Sequence, residues 1–335
     1  RFVLIGNIHE LPMLDMCTKP FKVKVRNWSS DLTIDSGIET FVNIFNYEKS
    51  AWEPLIEPWD LGLHVARSIE DNNTAINLYS RKMAEITVTS QTISIVDNMM
   101  KFLSEDAEEF LAKPIGHIAP YRIVNQTGYD LEVWIDHPDR DDIKNTTVIK
   151  DNEEIPWRFY DWNTVRENLS TDTQKVNLGV ALKNSPFDPI RNMSVTSVGE
   201  HIHTLYPKTD KVSHRLMCEV VMDESVKRIV LRSALTFENK TQIPIDIAIG
   251  PSNNESFMCR IKPGQSRAIP IEHAYDKAVS IRPDPSFKFG WSREPMYWKN
   301  MLTGPKSISC LPLNENSSTK FYFQATAIYD KSIPL

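Results

Sequence analysis

The chain has 335 residues, is 41% apolar and 24% charged, and carries a net charge of −6. That length predicts two to three domains. The lack of any run of about 18 apolar residues excludes a transmembrane helix, and the acidic balance, without a dense basic stripe, argues against nucleic acid as principal ligand.

Four scattered cysteines (Cys17, Cys218, Cys259, Cys310) form neither a disulfide framework nor a zinc spacing, and fit a reducing cytosol. The first residue is Arg1 and no signal-peptide pattern follows, so the chain reads as a fragment of a longer protein. Nine Asn-x-Ser/Thr triplets, at Asn27, Asn72, Asn125, Asn145, Asn168, Asn192, Asn239, Asn254 and Asn316, keep a secreted, glycan-bearing β protein as an alternative.

Residues 1–20 show little periodicity and read as a lead-in. Phe21–Asn27 alternates Phe21, Val23 and Val25 with Lys22, Lys24 and Arg26, the pattern of a half-buried strand. Ile38–Tyr47 is a second strand. In the stretch Ser50–Asp60, Pro54 and Pro58 forbid a continuous central strand or helix, while Trp52 and Trp59 bring large area to bury. Trp52, Glu53, Pro54 and Trp59 are therefore expected at a structural junction between the leading strands and the helix that follows. Leu61–Arg67, Ala75–Ser80 and Ala84–Thr89 resume the strand pattern. At Ser90 the period changes: Ile93, Val96, Met99, Met100, Leu103, Ala107, Phe110 and Leu111 recur at three- and four-residue intervals. This predicts an amphipathic helix capped by Ser90 or Thr89, stopped by Lys113-Pro114, and packed by its apolar stripe on the preceding sheet.

Beyond Pro114 the pattern is all-β, with turns at Asp136–Asn145, Glu153-Glu154 and Pro263-Gly264, and it contains a repeat. Pro120–Ile135 and Ala234–Ile249 each read as an apolar strand, an Asn-x-Thr turn (Asn125 with Thr127, Asn239 with Thr241) and a second strand. The two asparagines are 114 residues apart, about one domain. Ile149–Pro156 continues the match against Ile261–Pro270. Asn tolerates left-handed backbone angles and its amide bonds neighbouring backbone groups. The residue is thus architectural, and a second role in shaping a partner groove stays open. The fold class is mainly β: tandem antiparallel β-sandwich repeats preceded by a strand-plus-amphipathic-helix segment. The expected domains are 1–113, 114–232 and 233–335. Trp157–Leu169 holds a short helical turn, and Phe187–Asn192 and Ser286–Met301 are irregular loops.

Phosphate-loop, dinucleotide, nucleophile-elbow and His-Glu-x-x-His motifs are all absent. His201 and His203 share one strand face but lack a third ligand nearby, and Asp139–Asp142 lacks the Gly and Glu positions of a calcium loop. No catalytic residue, metal or cofactor is therefore assigned. If the modules bind extended peptides, the expected gap lies near Asn239, Thr241, Trp291 and Trp298, where aromatic rings flank the second Asn turn.

Ser50-Ala51-Trp52-Glu53-Pro54-Leu55-Ile56-Glu57-Pro58-Trp59 resembles the Trp-Glu-Pro-Leu-Ile-Glu signature of the vacuolar protein sorting-associated protein 13 family, the bridge-like lipid-transfer proteins. The openers at Asn125 and Asn239 resemble those of that family's adaptor-binding domain, an array of six all-β repeats. Ala84–Leu111 is similar to the segment before the array, and the resemblance covers roughly residues 20 to 335. It implies a parent rod whose apolar groove carries phospholipid, held peripherally on the cytoplasmic side at organelle contact sites (endosome or vacuole, mitochondrion). It also implies recruitment by Pro-x-Pro peptides of organelle adaptors, without catalysis; an alternative is that this segment lines or closes the lipid conduit. Only two openers are present, so weak peptide binding is expected here and strong binding once later repeats are added.

Overall fold

The computed structural model describes residues 1–6, 9, 11–68, 73–103, 118–136, 145–159, 177–208, 213–223, 226–249, 257–275, 278–314 and 319–328. The chain divides into two compact units, Arg1–Pro120 with Arg158–Lys175, and Tyr121–Trp157 with Val176–Leu335.

The first unit is built on strands β1 (Phe2–Ile5), β2 (Pro12–Thr18), β3 (Val23–Arg26), β4 (Thr33–Asn46), β5 (Ala51–Ser68) and β6 (Asn73–Ser80). They form one six-stranded sheet in the order β1-β2-β4-β5-β6, with β3 also on β4. The pairing fixes what each face carries, because side chains alternate along a strand. Val25, Ile34, Val65 and Ile76 lie in one row, and Ile38 and Leu61 in another. Val42 is flanked by Met16 and Ile56, and Ile44 faces Leu14. One face is therefore apolar across the sheet, and on β6 it stays open: Ile76 is 65% exposed and Leu78 69%. The other face brings His64 and Asp35 to 2.6 Å. There Tyr79 lies across Gly62, where an added Cβ would sit 2.4 Å from the ring.

Four sequence expectations are corrected in this unit. Residues 1–20 hold β1 and β2 rather than a formless lead-in. Pro54 and Pro58 lie inside an unbroken strand, β5. Between Thr40↔Trp59 and Val42↔Ile56 the register shifts, and Pro58 falls in this bulge. The outer edge of β5 is met by β6 only from Leu61 onward, and before that by residues 85–87 through Glu57 N to Glu85 O and Thr87 N to Leu55 O. Prolines at an edge or bulge break no central ladder. Residues 84–89 make only an isolated bridge, Ile56 with Ile86, rather than a strand. Finally, helix α1 (Ser90–Leu103) buries Ile95, while Ile93, Val96 and Met100 are exposed. Periodicity shows that a helix has an apolar stripe but does not supply the surface that covers it. The cap is Thr89: its hydroxyl accepts from Thr92 N at 3.3 Å while Thr92 Oγ1 accepts from Thr89 N at 3.1 Å. The expected helix residues 104–112 and its Lys113-Pro114 stop lie outside the described residues.

The second unit begins with β7 (Tyr121–Gln126), β8 (Leu131–Asp136), β9 (Thr147–Ile149), β10 (Glu154–Trp157), β11 (Asn177–Leu182), β12 (Ile190–Ser194), β13 (Gly199–Thr204), β14 (Arg215–Asp223) and β15 (Val226–Ser233). Two sheets, β10-β7-β15-β14-β13 and β12-β11-β8-β9, enclose a core of fully buried Ile123, Leu131, Val133, Ile149, Leu178, Leu216, Ile229 and Leu231. All pairings are antiparallel except β15 with β7, which is parallel and sets Leu231 opposite Asn125. Trp134 closes over Gly179 of its partner strand, where any Cβ would overlap the indole at 2.0 Å. The expected loop 187–192 ends in β12. Most of the expected helical turn at 157–169, the centre of the 136–145 turn and Asp139–Asp142 lie outside the described residues.

The unit continues through β16 (Thr236–Glu238), β17 (Ile245–Ile249), β18 (Phe257–Ile261), β19 (Ser266–Ala268), β20 (Val279–Pro283), β21 (Phe289–Ser292), β22 (Lys306–Pro312) and β23 (Phe321–Ala325). These make sheets β16-β19, β18-β17-β20 and β21-β22-β23. Ile245, Ile247, Ile249, Ile281, Ile308 and Phe323 share one core. The expected loop 286–301 contains β21. Mainly-β architecture with several antiparallel sheets is thus the fold. Among the described residues, β7 is paired on both edges and its counterpart β16 with β19 alone.

Candidate functional site

The first Asn turn links β7 to β8. Asn125 is fully buried. Its amide donates to the carbonyls of Tyr129 at 2.7 Å and Ile149 at 3.0 Å. Its carbonyl oxygen accepts from Thr127 N at 3.1 Å and from the Thr127 hydroxyl at 2.7 Å. Asn125 N donates to Glu153 O and Asn152 N to Asn125 O, at 3.0 and 2.8 Å. The side chain thereby ties the turn to β9 and to the β9–β10 turn, where a break in the sheet would otherwise leave buried carbonyls unpaired.

Asn239 repeats the arrangement. Its amide donates to Ile243 O at 2.8 Å and Ile261 O at 2.9 Å, and its oxygen accepts from Thr241 N at 2.9 Å and Thr241 Oγ1 at 2.7 Å. Its backbone bonds Gln265 O and Gly264 N at 2.9 and 2.8 Å. The aligned turn residues agree in conformation, with φ of 62° at Asn152 and 72° at Gly264. Both amides are spent on backbone in the interior, so neither Asn125 nor Asn239 can accept a glycan.

The first turn also meets the second module. Ile271 N donates to Thr127 O at 2.9 Å and Ile269 N to Leu235 O at 3.0 Å. The Ser233 hydroxyl bonds Ile269 O and lies 3.0 Å from Leu235 O. Gly128, at φ 85°, sits so close to Pro270 that a Cβ would approach to 2.4 Å. His214 meets Tyr275 edge-on at 5.4 Å between ring centroids, and burial pushes the Tyr275 phenol up to about 12.

Beside the second Asn turn lies a cavity of about 940 Å³, lined by Asn239, Thr241 and Trp298 together with Thr236, Phe237 and Glu238 of β16 and Phe323–Ile328 at the end of β23. Its floor includes Ile281, Met296 and Met301. The indole N–H of Trp298 is buried without an acceptor. Trp291 does not line this cavity. Alternation along β20 sends Ile281 into the core and Arg282 outward, and Trp291 goes with Arg282, whose guanidinium lies 4.4 Å from its ring centroid. Arg282 also bonds buried Asp246 at 3.0 Å, as does Arg260 at 2.8 Å. Sequence reasoning missed Tyr275, Lys299 and Phe323 as lining residues, because the cavity gathers residues of several elements far apart in sequence, which composition does not report.

In the first unit, Trp52 stands edge-on to Phe45 at 5.2 Å, and the Trp59 indole donates to Lys82 O at 3.0 Å. Glu53 receives Lys49 Nζ at 2.8 Å and Asn46 Nδ2 at 3.0 Å. The Lys49 bond holds its carboxyl below the usual carboxylate range. Asn46 Oδ1 accepts from Glu48 N and Lys49 N at 3.0 and 3.2 Å, so this segment builds the β4–β5 hairpin. Pro54 is exposed. Among the described residues no group of His, Cys, Asp and Glu is placed to hold a metal. His203 lies half-buried on β13, where desolvation first and His201 second lower its pKa. Burial raises the thiols of Cys218 to about 12 and of Cys259 and Cys310 to about 11.

Tandem β-modules opened by one buried Asn turn each define a β-repeat domain, with a lined cavity beside the second turn. Residues 161–335, more than half of the chain, match the model for the adaptor binding domain of vacuolar-sorting associated protein 13, and the chain belongs to this family. It is 34% identical, over its whole length, to the intermembrane lipid transfer protein VPS13 of Chaetomium thermophilum, of which it covers 11%. Intermembrane lipid transfer protein VPS13A of Mus musculus is 22% identical over 82% of the chain and 9% of the relative. The vps13E protein of Dictyostelium discoideum is 22% identical over 87% and 8%. The chain thus spans about a tenth of the length of these relatives.

Proposed function

We propose that this chain is a non-catalytic adaptor-binding and targeting region of an intermembrane lipid-transfer protein that works at organelle contact sites. The parent carries phospholipid, sits peripherally on cytoplasmic membrane faces (endosome or vacuole, mitochondrion), and is recruited by adaptors bearing Pro-x-Pro peptides. One observation carries this reading: the cavity beside Asn239, Thr241 and Trp298 lies within the stretch matching the adaptor-binding model. Pro-containing segments are already extended, so docking them costs little ordering entropy. A half-buried Trp beside a strand edge suits such a segment. A fluorescent Pro-x-Pro peptide titrated into the chain should bind weakly and saturably, and Asn239→Ala or alanines in place of both prolines should abolish this. Equal binding of the proline-free peptide would contradict the reading.

A second reading rests on the apolar face of the β1–β6 sheet, open at Ile76 and Leu78: this face lines or closes the lipid conduit of the parent. Lipid mass spectrometry of the purified chain should then find phospholipid that Leu63→Glu with Leu78→Glu removes. Phospholipid retained by that variant would contradict the reading.

A further inference from the structure

In the first unit, every residue from 19 to 31 is exposed. This stretch carries Lys19, Lys22, Lys24 and Arg26 against Asp31 alone, a local charge of +3 in a chain whose net charge is −6. Pairing of β3 with β4 sets Lys24 beside Asp35 and Val25 beside Ile34, so Lys24 and Arg26 share one face and Val23 and Val25 the other. Lys19 is paired with Glu39 at 2.6 Å, and Asp35 is held by His64 at 2.6 Å. Lys24 and Arg26 act on Asp35 only through space, after His64. Beyond Arg26 the chain reverses. Asn27 takes a left-handed φ of 54° and its carbonyl accepts Ser30 N at 3.0 Å. Trp28 thereby stands at the tip, 80% exposed, the only exposed tryptophan among the described residues. Its position is that of a strand end, not of a sheet edge. Further strands add to a sheet sideways, along the hydrogen bonds, and leave the turn of a hairpin clear.

We propose that the β3–β4 hairpin is a lipid-surface contact, in which Trp28 seats among the headgroups of an anionic membrane leaflet while Lys24 and Arg26 meet lipid phosphates. The proposal deepens the targeting reading, on which it rests for its membrane, by giving the region a direct hold on lipid beside its adaptors. An indole has an apolar body and one N–H donor, and settles where hydrocarbon meets headgroup. Ser29 and Ser30 beside it are small and polar, so the ring is the bulkiest group at the tip. Strand rise puts Arg26 about 7 Å and Lys24 about 13 Å behind Trp28. Their long side chains bring both charges within roughly one Debye length of a surface that the indole touches. A basic side chain at that distance is drawn to an anionic leaflet. The shape of the site selects the partner as well. A convex tip has no concave lining to enclose a peptide or a small molecule, whereas a membrane is a continuous surface that such a tip can enter.

The test floats the whole chain with vesicles of phosphatidylcholine, with and without phosphatidylserine. The chain should bind the serine-containing vesicles, and high salt should release it. Trp28→Ser, and separately Lys24→Gln with Arg26→Gln, should each weaken this binding roughly tenfold, while Trp28→Tyr should keep most of it. Because these side chains are exposed, melting temperature and affinity for the Pro-x-Pro peptide should not change in any of the variants. Lipids brominated near the headgroup should quench tryptophan fluorescence of the native chain and much less that of Trp28→Tyr. Absence of binding to serine-containing vesicles, equal binding to both vesicles, or full binding by Trp28→Ser would overturn the proposal and leave the adaptor reading intact. Vesicle binding that depends on Trp28 in a chain that binds no peptide would uphold the contact and remove the adaptor reading.

Discussion

The carbonyl of Thr127 accepts the amide of Ile271 at 2.9 Å, so the turn that Asn125 organises is also a contact between the two β-modules. Asn125→Ala takes one donor from each of the carbonyls of Tyr129 and Ile149, the first of which keeps the Thr127 hydroxyl, and removes the acceptor of Thr127 N and Oγ1 at once. Leaving a buried polar group unpaired costs about 1–3 kcal/mol. We predict that Asn125→Ala destabilises the chain by at least that much in urea, and by more than Asn239→Ala, whose turn carries no such contact forward among the described residues. Equal losses would show that the Thr127–Ile271 bond adds nothing.

Three glycine substitutions separate backbone strain from crowding. Gly128 and Gly264 both have positive φ, but only Gly128 faces an obstacle, Pro270, while the space at Gly264 is open. Gly264→Ala should cost roughly 1 kcal/mol from strain alone. Gly264→Asn should be near neutral, since Asn152 already holds the equivalent place at φ 62°. Gly128→Ala should cost clearly more than Gly264→Ala, and Pro270→Gly should recover part of the difference. Thermal melts of the four variants check the order.

Burial lowers the pKa of His203 from 6.5, and its Nε2 lacks a partner. Below pH 6.5 the unfolded chain takes up a proton that the folded chain resists, so stability rises with pH in that window and is lost on acidification. Denaturant midpoints should fall between pH 7.5 and 5.5, and His203→Gln should flatten the slope. An unchanged slope in the variant would assign the pH dependence to other groups.

The hairpin between β4 and β5 hangs on Asn46, which is buried and holds both turn amides and Glu53. Asn46→Ala should cost about 1–2 kcal/mol, as loss of a side-chain cap does. Trp52 is only half-buried against Phe45, so Trp52→Ala should cost less than the roughly 3–5 kcal/mol of a fully packed indole. Chemical denaturation of the two variants, compared with a Glu53→Gln control, checks this.

The Asn turns were legible in sequence because their chemistry is local: Asn-x-Thr supplies both halves of the bonding within three residues, and the aligned Lys150–Glu153 and Lys262–Gln265 turns follow. The cavity was only partly legible. Asn239, Thr241 and Trp298 meet there, but Trp291 follows Arg282 to the outer face because one residue of alternation decides its side. The parallel pairing of β15 with β7 joins residues about a hundred apart, which no local pattern encodes. Pro54 and Pro58 misled for a related reason: whether a proline breaks a strand depends on which edge is paired, and only the fold says so.

Native mass spectrometry of the chain with an excess of the Pro-x-Pro peptide tests the central claim most directly, since it counts bound peptides and weighs them. The cavity beside Asn239 lies in the second module, so the account predicts one peptide per chain, recovered at unchanged mass, and none on Asn239→Ala. Two peptides per chain, or a peptide of altered mass, would contradict it.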